Sequence, residues 1–181
     1  GGPSHGISNG LGLGAFVDRE IDGFPSNNAL GDDLNNIDDE DGVQLLSPLG
    51  PGGDAVLEVI ARNTDGVTSY LQGWIDFNAD GDFDASEQVF TDVVLADGTH
   101  NLNVSVPASA VIGSTFARFR YSPTPGLGVA GDADFGEVED YQFDILEAAA
   151  IANDDEFTVS RNSLSNQLDV LDNDFESALT Q

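Results

Sequence analysis

The chain has 181 residues, 40% of them hydrophobic, and sets 33 acidic residues against five arginines and no lysine, for a formal net charge of −28. That hydrophobic share supports a folded core, while the charge argues against nucleic acid and anionic lipid surfaces as partners. Cysteine is absent, which removes any disulfide frame, and no run of about 18 apolar residues reaches membrane-spanning length, so no membrane insertion is expected.

Residues 3–31 are rich in Gly, Asn and Ser around one apolar run at 13–17, which reads as a strand and leads into a loop through 23–28. Residues 31–42 gather Asp32, Asp33, Asp38, Asp39, Glu40 and Asp41 around only Leu34 and Ile37. A block so acidic does not pack on itself and calls for a cation to gather it. Strands then follow at short intervals, at 43–46, 55–61, 70–77, 89–95, 102–106 and 116–121. Turn residues separate them, including 47–53, 63–66 and Asp97-Gly98. Segment 107–113 has room for one helical turn at most. Arg118 and Arg120 fall on one face of the 116–121 strand, where arginine forks in so acidic a chain are expected to pair with carboxylates. Residues 131–141 read as a loop on which Asp132, Asp134, Glu137, Glu139 and Asp140 converge before a last strand at 142–146. No helical period is sustained. The expectation is an all-β, antiparallel β-sandwich of Ig-like or jelly-roll type, with long acidic calcium-binding loops and a short β tail.

Within this order, residues 76–87 have the sharpest chemistry. Asp76, Asn78, Asp80, Asp82, Asp84 and Glu87 stand at loop positions 1, 3, 5, 7, 9 and 12, with Gly81 at position 6. Calcium takes several oxygens at once, so a short loop must curl around it. Alternate residues turn inward, Gly81 makes the bend, and Glu87 closes the shell with both oxygens. Asp82 is expected to offer its backbone carbonyl. The residues before the loop are aromatic and branched, which places it on a β scaffold rather than between two helices. A second calcium site would draw on Asp32, Asp33, Asp38, Asp39 and Asp41, with Glu137, Glu139 and Asp140.

The run Gly136-Glu137-Val138-Glu139-Asp140-Tyr141 resembles the signature of the GEVED domain. Three further blocks resemble that family in order: residues 31–43, residues 73–83 and Ala117-Arg118-Phe119-Arg120. Over residues 5–146 the resemblance implies a non-catalytic β-sandwich module of secreted or surface-attached bacterial proteins. Residues 151–181, with Asn153-Asp154-Asp155 and Asp172-Asn173-Asp174, resemble the opening of a bacterial cadherin-like or Ig-like adhesin repeat. The implied organisation is a sandwich at 1–146, a linker at 147–152, and a partial repeat or strand-donating tail at 153–181.

Enzyme chemistry finds little footing. His5 and His100 belong to no zinc or nucleophile pattern, and no Gly-rich phosphate loop leads from a strand into a helix. The expected function is a calcium-stabilised structural or adhesive module, extracellular and at the cell surface, with calcium ions as its ligand. Two alternatives stand beside it. One is a fibre subunit joined to neighbouring domains or copies by strand addition through 151–181. The other is a carbohydrate-binding module that stacks extracellular glycans on Trp74, Tyr70 and Tyr121, against which Trp74 is expected to pack in the core.

Overall fold

The computed structural model describes residues 3–6, 10–15, 40–147, 158 and 161. The chain divides into two compact units, Gly1–Leu146 and Glu147–Gln181. Nearly all of the second lies outside the described residues, as do the linker and tail expected there. Of the first acidic block, Asp32, Asp33, Asp38 and Asp39 also lie outside them.

Ten strands are described: β1 (Pro3–His5), β2 (Leu11–Leu13), β3 (Val43–Leu45), β4 (Asp54–Asn63), β5 (Ser69–Ile75), β6 (Gln88–Leu95), β7 (Gly98–Ser105), β8 (Gly113–Ser122), β9 (Gly131–Ala133) and β10 (Glu137–Ile145). One sheet has the order β10-β8-β5-β6, antiparallel throughout. The other is centred on β4. Strand β7 pairs along one edge of β4, from Asp54 to Ala61, while β3 and β2 lie end to end along the other, at residues 57–59 and 61–63. A parallel pair, β1 with β9, stands apart from both. The fold is an all-β sandwich.

Alternation explains the core. Ala55, Leu57, Val59 and Ala61 of β4 turn inward and meet Leu71, Ile75, Ala117, Phe119, Tyr121, Phe143 and Ile145 from the other sheet in one buried cluster. Phe119 sits at its centre, tilted against Phe90, Tyr141 and Phe143 at ring-centroid distances of 6.3, 5.9 and 6.5 Å. Trp74 is only 4% exposed and Tyr121 fully buried, so neither ring is presented for stacking on a sugar.

Strands expected at 55–61, 70–77, 89–95, 102–106 and 116–121 correspond to β4 through β8. Two expectations need correction. The strand expected at 13–17 is described as β2, Leu11–Leu13, after which the backbone turns at Gly14 with φ 57°, and residues 16 and 17 lie outside the described residues. The stretch 131–141 is not one loop. Residues 131–133 form β9, and Glu137 through Tyr141 already belong to β10, paired residue by residue with β8.

Candidate metal centre

The loop at 76–87 joins β5 to β6, and its first and last carboxylates hold its backbone. Asp76 is 2% exposed and Glu87 3%. Asp76 Oδ1 and Oδ2 accept the N–H groups of Asp80 (3.3 Å) and Gly81 (3.0 Å). Glu87 Oε1 and Oε2 accept those of Asn78 (3.2 Å) and Asp84 (2.8 Å). The backbone turns with Ala79 at φ 57° and Gly81 at φ 88°, a conformation glycine adopts without steric cost. The loop is tied to β8 where Thr115 Oγ1 donates to the Asp76 carbonyl and Asp76 N–H donates to the Phe116 carbonyl at 2.9 Å.

Between these buried ends, Asp80, Asp82 and Asp84 are exposed, and one carboxylate oxygen from each falls within 4.8 Å of the others. The charge of Asp80, followed by burial and the charge of Asp84, pushes the Asp82 carboxyl above its ordinary range. Burial pushes Glu87 upward in the same sense, opposed by its two backbone hydrogen bonds. Like charges crowded this closely repel, and a divalent cation among them relieves the repulsion. The donor set is all oxygen, as a hard cation requires. The Asp82 side chain joins Asp80 and Asp84, whereas Asp76, Asn78 and Glu87 are engaged within the loop. Asn78 Oδ1 accepts from Asp80 N–H at 2.9 Å, and its amide donates to Asp80 Oδ2 at 2.9 Å.

The second set of expected ligands divides between two faces. Glu137 and Glu139 stand opposite Tyr121 and Phe119, facing the core. Glu137 Oε2 accepts the Leu13 N–H, and Glu139 Oε1 accepts the Gly42 N–H at 3.0 Å. Tyr141, two residues on, donates to Glu139 Oε2 at 3.0 Å while its hydroxyl oxygen accepts the Val43 N–H at 2.8 Å. These acceptors clasp the gap between β2 and β3. Gly42 has to be glycine, since a Cβ there would lie 2.7 Å from Glu139 Oε2 and 2.5 Å from Leu13 Cβ. Burial drives the Glu139 carboxyl well above its ordinary range, with the charges of Asp41 and Glu40 adding to the shift. Asp41 turns elsewhere and accepts the Ala15 N–H at 3.0 Å.

Residues 70–144 match the GEVED domain family. No curated protein and no solved structure matches the chain. The GEVED stretch takes in the 76–87 loop, both strand arginines and the 136–141 signature, and the opposite face of β10 shows what the rest of that signature does. Asp140 faces away from Glu137 and Glu139 and receives Arg118 in a two-pronged pair, Nε to Oδ1 at 2.7 Å and Nη2 to Oδ2 at 2.5 Å. It is an ion-pair partner rather than a third member of a ligand set with the two glutamates. Arg118 also donates to the Val129 carbonyl at 3.1 Å and lies 5.7 Å from the Phe83 ring centre, which bridges the GEVED signature to the acidic loop.

Arg120 overturns the expectation of a carboxylate partner. It donates to the carbonyls of Gly128 (2.5 Å), Ala130 (3.1 Å) and Gly131 (2.7 Å), gathering the turn that feeds β9. Burial, then the neighbouring Arg118 charge, lowers its pKa to about 10. Sequence reasoning missed this cradle and the β1–β9 pair it supports. The only hint was Arg120 itself, a long cation on the same strand face as Arg118, upstream of a Gly-rich turn.

Proposed function

We propose that this chain is a calcium-stabilised, non-catalytic structural or adhesive module of a secreted or surface-attached bacterial protein. The observation that carries the reading is the 76–87 loop, where buried Asp76 and Glu87 fix the backbone and the carboxylates of Asp80, Asp82 and Asp84 converge within 4.8 Å. The GEVED match over 70–144 supports it, because the match includes that loop. The ion neutralises acids that repel one another, and the loop is bound to β8 through Thr115 and Phe116 and to Arg118 through Phe83. Ion binding is therefore coupled to the packing of the sheet.

The test is thermal unfolding with calcium, with magnesium and with a chelator. An ion bound only by the folded state stabilises by about 4 kcal/mol at a thousandfold excess over its dissociation constant. A calcium-specific rise in midpoint, absent in Asp80→Ala and Glu87→Ala, supports the reading. An equal rise with any salt would reduce the acids to a solvated coat.

A further inference from the structure

Strand β7 is an edge strand with none of the devices that usually keep edges from pairing. It runs without a bulge against β4 for all eight residues, Gly98 to Ser105, and contains no proline and no charged side chain. The neighbouring edge, β6, is blunted. Asp92 sits at φ 50° beside a register shift, and its carboxylate accepts the Gly126 N–H at 2.7 Å, which brings the 123–130 turn onto that edge. Among the described residues, no strand pairs with the outer edge of β7. Leu102 beneath it is only partly buried, although it packs on the core.

Charge decides what can approach. Residues 98–117 contain no Asp, Glu, Lys or Arg, the longest such run in a chain that is 21% charged and carries −28 overall. Two copies repel almost everywhere else; here β7 itself adds no charge, and the nearest carboxylates belong to β4 behind it, Asp54 beside Ser105 and Glu58 beside Asn101. The backbone supplies the register. Val106 bonds toward β4, its N–H donating to the Gly53 carbonyl. Residues of that parity bond inward, so Thr99, Asn101, Asn103 and Ser105 turn their N–H and C=O groups outward. A two-fold axis at Leu102 then sets Asn101 opposite Asn103 and Thr99 opposite Ser105 of the other copy, with the two Leu102 side chains adjacent.

We propose that β7 pairs antiparallel with β7 of a second copy of this chain, which extends the β4 sheet across a two-fold axis. The inference is independent of calcium at 76–87. Dimer formation rises with ionic strength, because salt screens the repulsion between the two acidic bodies.

Sedimentation of the whole chain over a range of concentrations and salt tests the pairing. Wild type is expected to dimerise increasingly with both. Asn101→Asp/Asn103→Asp, a near-isosteric change at two exposed positions, sets like charges opposite each other and should weaken the dimer at least tenfold. Asn101→Asp/Asn103→Lys sets opposite charges in the same register and should restore it. Because the chain has no cysteine, Leu102→Cys is expected to give a single intermolecular disulfide under mild oxidation. A wild type that stays monomeric throughout overturns the proposal. So does a dimer that ignores both double variants, since its interface would lie elsewhere.

Discussion

The two lateral sides of the sandwich are closed by different means. On one side, β10 reaches across to the interrupted edge formed by β2 and β3, and Glu137, Glu139 and Tyr141 receive the N–H groups of Leu13, Gly42 and Val43. On the other, β6 and β7 run beside each other with Val89, Val93 and Leu102 only partly buried between the sheets. Edge amides cost free energy when buried unpaired, so a broken edge packed against the core needs acceptors, and side chains provide them. An unbroken edge facing solvent keeps its water and needs none. Polar residues placed inside the fold close the first side, whereas on the second no described strand pairs with the outer edge of β7.

The largest break in this contrast is expected at Arg118, which is 3% exposed and holds Asp140 on the outer face of the clasped strand. Arg118→Ala leaves Asp140 buried without its cation and should cost about 3–5 kcal/mol in equilibrium denaturation. Tyr141→Phe is expected to cost about 1–3 kcal/mol by the same measurement, because the Val43 N–H loses its acceptor and Glu139 a donor. A cost no larger than that of a surface substitution would mean the clasp contributes little.

The clasped strand also abuts β1, whose His5 is buried 3.4 Å from Arg120. Burial, then the Arg120 charge, holds the imidazole pKa down at about 3. The unfolded chain therefore binds the proton first, near pH 6.5. This contribution to stability is whole above that pH and is lost as the pH falls toward the folded value. From about pH 7 to about pH 5, wild type should lose roughly 1–2 kcal/mol more than His5→Gln in denaturant titrations at each pH. The smallest effect belongs to the open side. Val93→Ala removes only partly buried surface and should cost about 1 kcal/mol. A loss matching that of a fully buried core valine would show the side to be shut.

Much of the sandwich was legible because its strands alternate. Leu102, Val104 and Val106 against Asn101, Asn103 and Ser105 gave β7, and the 55–61 alternation gave β4. The signature was harder to read. Five acids in ten residues suggested a loop, since solvated carboxylates usually avoid strands. Glu137 and Glu139 instead point into the core, where backbone donors 97 and 124 residues away meet them, and no local pattern encodes that distance. The 76–87 spacing located the loop. It did not reveal that Asp76 and Glu87 accept hydrogen bonds from the loop's own amides, because the spacing specifies which side chains turn inward and leaves open what else they meet.

The break in the edge strand has a consequence for how such a chain can change. The Gly14 N–H bonds to the Ile60 carbonyl, and the Ile60 N–H bonds to the Gly42 carbonyl, so the segment between leaves and re-enters the sheet at a single residue. Its ends are fixed together by the framework, whatever lies between them. Doubling the length of such a segment costs only about 0.6 kcal/mol of closure entropy. Residues added between these two anchors would leave the register of β2 and β3 on β4 unchanged.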